Sequence, residues 1–372
     1  MTDSVSISIQ SGGKMIGQGS YGCIFSPPLL CRGAKKPRHG WQSKKLGKMT
    51  ELSDIKNEIN AAKVLVSAPN VEKYCILPEI NTLCNIAPLS AQKEEDIGKC
   101  DPLKKYSVED MMQYELEYGG KTLKTRIETM EISTAFPFFE FMGQLLEIGA
   151  FLVLHGCIHN DMHSSNIVMK KDLQPRLIDF GRSYMYNNIN AHEIEEISGV
   201  QYNPALGQVP PEVTAHHGVN DGMSIETIIS DLDSKKSGLL YVERILGVSR
   251  KEQLTEFKNF WLSSRSAQKG DWVQFYKLYW PVVDSWSIGH NLIGILRRMV
   301  ISKQFTETKE WLQKKSVVKT VLRGLLHSSP KKRLDAVEAL ALYDPMNALV
   351  SSSSGKDWLE KKSAAKGENP LS

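Results

Sequence analysis

The sequence predicts an α+β chain in two parts, a small β-rich N-terminal part with one main helix and a larger helical C-terminal part. Three observations carry this. Apolar residues flank a glycine run from Met15 to Phe25 and stop at Pro27-Pro28, which reads as strand, turn and strand. Gly119-Gly120 follows the strand-like ending Tyr114-Glu115-Leu116-Glu117-Tyr118 and marks a boundary. Beyond it, Phe136 to His155 is apolar over a length that suits a buried helix.

In chain order, residues 1–13 read as a polar extension and 14–118 as the β-rich part. Leu52, Ile55, Ile59, Ala62 and Val66, with Ala61 and Leu65, form one stripe at helical spacing. Strands are expected over 74–118, broken by the polar run Ala91 to Lys105. The helical part covers 119–349, with helices at Asp284 to Val300 and Val317 to Leu326. Two amphipathic stretches, Ile225 to Leu232 and Lys251 to Leu262, predict a helical insertion over about 213–280. The tail, 350–372, carries the serine run 351–354 and is expected to be disordered.

Composition excludes some functions. Charged residues are 24% and apolar residues 41% of 372, ordinary for a globular chain. The net charge of +4 is slight, and Lys35, Lys36, Arg38, Lys44, Lys45 and Lys48 form only a loose cluster, so no nucleic-acid partner is expected. No apolar run is long enough to span a membrane, and Met1 to Lys14 lacks a signal-peptide core. No membrane partner and an intracellular, cytoplasmic location are therefore expected. The six cysteines, Cys23, Cys31, Cys75, Cys84, Cys100 and Cys157, contain no C-x-x-C pair. They read as free buried thiols, ahead of a metal site built from Cys75, Cys84 and Cys100.

Gly17-x-Gly19-x-x-Gly22 is shared by several kinds of nucleotide site. A dinucleotide site would open a helix after the last glycine, whereas Cys23-Ile24-Phe25 before two prolines continues as strand. This favours a hairpin folded over phosphates. Further on stand His159-Asn160-Asp161-Met162-His163-Ser164-Ser165-Asn166 and then Leu177-Ile178-Asp179-Phe180-Gly181. Here the chain resembles the protein kinases, whose catalytic loop is H-x-D-x-x-x-x-N and whose metal loop is D-F-G. Pro210-Pro211-Glu212, Asp284-Ser285-Trp286-Ser287-Ile288-Gly289 and Ser329-Pro330-Lys331-Lys332-Arg333 resemble later kinase segments in the same order.

The resemblance, over about residues 14–345, implies a two-lobed protein-kinase-like fold and an ATP-dependent serine/threonine protein kinase using Mg2+. It implies Asp161 as catalytic base and Asn166 and Asp179 as magnesium ligands. Gly17, Gly19, Gly22 and Ile24 would cover the nucleotide, and Glu117 and Tyr118 would offer backbone groups to adenine, with Leu116 behind. It further implies a buried ion pair between Glu212 and Arg333. No V-A-I-K string marks the ATP lysine. Lys45 is preferred over Lys44 and Lys36, because Ser43 is small and on the same strand face, and Glu58 is its expected partner.

The chain departs from the pattern in places. Asn160 stands where protein kinases carry arginine, so control by loop phosphorylation is not expected. His163, two residues after Asp161, is similar to the choline and aminoglycoside kinases, and is read either as a charge at the transferring phosphoryl group or as a group holding the loop. The hydroxyl residue usual ahead of A-P-E falls near Ala205. Wording such as Gly19-Ser20-Tyr21-Gly22-Cys23 and Glu117-Tyr118-Gly119-Gly120 resembles divergent serine/threonine kinases of large DNA viruses, which would place the enzyme in host cytoplasm or virion. The acceptor is expected to be a protein. A small-molecule kinase and a pseudokinase scaffold are the alternatives.

Overall fold

Apolar alternation across a short glycine turn produces a hairpin, β1 (Lys14–Gln18) and β2 (Gly22–Ser26), paired antiparallel. In the computed structural model, which describes residues 13–19, 22–36, 38, 44–92, 95–198 and 200–364, the chain divides into two compact units. One holds Ile76–Gly119, Asp179–Gly181 and the residues up to Glu72; the other holds Lys73–Cys75, Gly120–Ile178 and the residues from Arg182 onward. The fold is mixed α+β, with a five-stranded sheet in the N-terminal part and a larger helical C-terminal part.

In the first unit the hairpin is joined by β3 (Lys45–Glu51), β4 (Glu79–Asn85) and β5 (Met111–Glu117), in the order β1-β2-β3-β5-β4. The helix α1 (Leu52–Leu65) follows β3 directly and buries Ile55, Ile59, Ala61, Ala62 and Leu65. A second core forms from Cys23, Phe25 and Met49 with Leu29, Ile86, Ile97, Cys100, Val108 and Met111. Alternate strand residues point to opposite faces, so Lys48 and Met49 on β3 serve two different apolar layers.

The cysteine reading is corrected here. Cys23 is bonded to Cys100 and Cys31 to Cys84, leaving Cys75 and Cys157 as free, buried thiols. The pairs span 77 and 53 residues of chain, and each joins a strand residue, Cys23 on β2 or Cys84 on β4, to one outside the named strands. Their pairing also removes Cys84 and Cys100 from any metal set.

In the second unit α2 (Phe138–Leu154) is apolar on nearly every side and almost wholly buried. Short strands β6 (Lys121–Thr122), β7 (Cys157–Ile158), β8 (Ile167–Met169), β9 (Pro175–Leu177) and β10 (Tyr184–Met185) make two small sheets, β6-β8-β9 and β7-β10. The helix α3 (Pro211–Asn220) starts with proline at its first position, where the missing N–H costs nothing. The insertion forms α4 (Ile225–Lys235), α5 (Ser237–Leu246), α6 (Arg250–Ser263) and α7 (Trp272–Tyr279). Ser224, Ser249 and Asp271 cap three of these. Beyond them lie α8 (Val283–Met299), α9 (Lys309–Leu325) and α10 (Ala336–Tyr343).

The expectation of a disordered tail fails over much of its length. Residues Ser353–Ala364 form a helix, α11, and the buried Trp358 donates from Nε1 to Asp335 Oδ2 at 3.0 Å. Lys362 also reaches Asp335, at 3.3 Å. A serine run reads as disordered by composition, but one tryptophan four residues beyond it supplies a packing anchor. Residues 365–372, like the extension 1–12, lie outside the described residues. Among the described residues no helix is long and apolar enough to cross a membrane.

Candidate active site

In the first unit the strand register lines up one row of residues. Gly17 stands opposite Ile24, Ile24 opposite Lys48, and Lys48 opposite Tyr114. Directly opposed residues share a face, so Ile24, Lys48 and Tyr114 project together on the side that α1 covers. There Lys48 Nζ bonds the Glu58 carboxylate, donates to Asp179 Oδ1 at 2.9 Å, and the Tyr114 hydroxyl donates to the other Glu58 oxygen. Burial works against the Lys48 ammonium, but the charges of Glu58 and Asp179 outweigh it and hold its pKa above the usual lysine value.

Lys45 is thus not the partner of Glu58. It lies three residues before Lys48, hence on the opposite strand face, and pairs with Glu79 on β4, the strand beyond β5. Lys44 precedes the strand and is exposed, and Ser43, on which the choice of face rested, lies outside the described residues. The sequence obscured Lys48 because both sheet faces are covered, so Leu46 and Met49 are buried on opposite sides and no alternation survives. The usable signal was distance to the helix: Lys48 is the last lysine before α1.

The three glycines differ in what demands them. A Cβ on Gly22 would lie 2.2 Å from the Met49 carbonyl oxygen, so that glycine serves strand packing. At Gly17 and Gly19 the nearest atoms would be 3.8 and 3.9 Å away, ordinary contact distances, so neither glycine is demanded by close packing among the described residues. Ser20 and Tyr21 at its tip lie outside the described residues. Leu116 is buried, while Glu117 ends β5 and Tyr118, 48% exposed, follows it.

Asp179 has φ +66°, in the left-handed region that few non-glycine residues adopt. Such backbone persists where surroundings over-determine it and concentrates at functional sites. Asn57 on α1 helps, donating to the Gly181 carbonyl at 3.2 Å. The Asp179 side chain keeps 46% exposure, so it presents a hard carboxylate oxygen to solvent, the kind of atom that could hold a magnesium ion.

In the second unit the loop of Asp161 is held from several directions. His159 is fully buried; its Nε2 donates to the Ile178 carbonyl at 3.0 Å, and its Nδ1 accepts from the Asp161 N–H at 3.3 Å. Asp284, at the start of α8, accepts the N–H groups of His159 and Asn160 at 2.7 and 2.9 Å. Asn160 has φ +59°, a conformation asparagine tolerates better than most residues. Asn291, two turns along α8, donates to the Met162 carbonyl at 2.9 Å. Neither Asp284 nor Asn291 stood among the expected site residues, although the motif containing Asp284 did.

Asn166 donates from Nδ2 to the Asp161 carbonyl at 3.0 Å, which leaves its Oδ1, a hard neutral oxygen, as the atom to offer a cation. His163 lies with Nε2 3.6 Å from Asp161 Oδ2 and accepts the Ser165 N–H on Nδ1 at 3.1 Å. These contacts are those of a loop-holding group. Burial would raise the Asp161 pKa, but the His163 contact and the charge of Arg182 outweigh it and bring it below the ordinary aspartate value. A carboxylate that stays ionised can accept a proton at neutral pH.

Comparison with protein-family models and with curated proteins gives no match. Residues and geometry therefore carry the functional reading.

Proposed function

We propose that the chain is a protein-kinase-fold phosphotransferase that moves the γ-phosphate of ATP to a serine or threonine hydroxyl of a protein. The observation that carries this reading is Lys48 bonded at once to Glu58 and to Asp179, on the sheet face that it shares with Ile24 of the glycine hairpin. A cation fixed by one buried and one exposed carboxylate is suited to hold phosphate oxygens. Glu58 and Tyr114 set the position of Lys48. Asp161 accepts the proton of the acceptor hydroxyl and orients it. Asn166 and Asp179 are read as magnesium ligands, and magnesium supplies positive charge against the phosphate oxygens. Most of the acceleration then comes from positioning and electrostatics rather than covalent chemistry.

A protein acceptor is preferred to a small alcohol because Glu212, in the first turn of α3, is paired in the core with Arg333, the ion pair that the resemblance to protein kinases implies. The test is transfer of labelled phosphate from ATP to a degenerate Ser/Thr peptide library, against a panel of small alcohols, with Asp161→Asn as control. Labelling of peptides by the wild type only is expected. Labelling of an alcohol alone would establish the small-molecule reading, and no labelling of either would leave a scaffold.

A further inference from the structure

Lys236 sits at the junction of α4 and α5, inside the insertion, with 2% of its surface exposed. A buried ammonium is costly without partners. Here Nζ donates to the Leu206 carbonyl and to Thr214 Oγ1, each at 3.0 Å. Glu212, the carboxylate whose charge favours the Lys236 ammonium, is itself paired with Arg333, and among the described residues no ion pair to Lys236 is formed. What it holds is backbone.

The next two carbonyls are held as well. Trp286 Nε1 donates to Gly207 O at 2.9 Å and Ser287 Oγ to Gln208 O at 2.8 Å. Three successive carbonyls thus each accept a bond from a different side chain. The packing is close: a Cβ on Gly207 would lie 2.3 Å from His290 Nε2 and 2.6 Å from Ser237 Oγ. Trp286 and Ser287 lie on α8 between Asp284 and Asn291, the two residues that hold the Asp161 loop. One stretch of helix about 10 Å long therefore carries both the Asp161 loop and the ledge 206–208. An extended acceptor with its hydroxyl at Asp161 spans that length in three or four residues, at about 3.3 Å each.

We propose that Lys236 is a positioning residue for the acceptor: by holding the Leu206 carbonyl it completes a ledge, Leu206 to Gln208, on which the acceptor chain rests. This rests on the phosphotransfer reading, and it gives the insertion a part in acceptor selection.

The test compares Lys236→Met with wild type in steady-state transfer to the peptide library. The KM for peptide should rise about tenfold or more, the scale of a lost charged hydrogen bond, while the KM for ATP stays within about twofold. Ser287→Ala, a smaller change that removes only the Gln208 tie, should show the same selective rise, and it decides the matter if Lys236→Met does not fold. Peptide KM unchanged in a folded variant, or both KM values rising together, would overturn the proposal. If the wild type labels no peptide, the phosphotransfer reading itself fails and the proposal falls with it.

Discussion

Arg333 donates from both terminal nitrogens to the two oxygens of Glu212, at 2.6 and 2.8 Å, and neither side chain has exposed surface. Arg333 also donates to the carbonyls of His327 and Val282 and lies over the Trp286 ring. Removing one partner strands a buried charge, so Glu212→Gln or Arg333→Met should cost about 3–5 kcal/mol. Chemical denaturation of each variant checks this. The double variant should recover part of the loss, since it leaves no lone charge.

Lys48→Met should reduce ATP turnover by about two orders of magnitude, the scale seen when one preorganised charge-stabilising donor is removed. Lys45→Met should change it little, because Lys45 faces Glu79. Initial rates at several ATP concentrations separate the two, and equal losses would contradict the strand-face assignment.

Asp161→Asn and Asp179→Ala should abolish transfer while the melting temperature changes little, both side chains being partly exposed. The lowered pKa of Asp161 has a sign that can be checked. A depressed carboxylate is ionised above its usual range and loses its charge only as pH falls below it. A kcat profile should therefore show no acid-side fall due to Asp161 between about pH 5 and 7.

Burial pulls the Lys236 pKa down to about 7 against the attraction of Glu212, with Arg333 adding to the fall. Below that value the ammonium is charged, and as pH climbs through it the charge is lost. Peptide KM should then rise between about pH 6 and 8 in wild type and stay flatter in Lys236→Met. His290, which the same buried cation helps bring down to about 4, is neutral throughout that window. Stability runs the other way: the unfolded chain binds the proton more tightly, so from about pH 7 to 10 wild type should gain stability with pH relative to the variant.

Reduction of the disulfides should destabilise the first unit by about 2–4 kcal/mol for each bond broken. Melting with and without dithiothreitol measures it. Peptide mapping should recover Cys23 with Cys100 and Cys31 with Cys84, and free thiols at all six positions would remove this prediction.

The amino-acid sequence by itself determined what depends on short spacing. The glycine turn between strands, the Asp161–Asn166 loop, the Asp179-Phe180-Gly181 segment and the boundary at Gly119-Gly120 are each written in a few neighbouring residues. The Glu212–Arg333 pair was legible through the order of motifs, although 121 residues separate its members. Only the tertiary structure decided the rest. Lys48 rather than Lys45 meets Glu58 because a sheet covered on both faces hides the strand period. Four cysteines pair because the folded unit brings Cys100 and Cys31, outside the sheet's named strands, against Cys23 on β2 and Cys84 on β4, and the tail helix forms because Trp358 finds Asp335. Lys236 is charged and polar in sequence, like any surface lysine; the insertion buries it and points it at a carbonyl, and no local pattern records that burial.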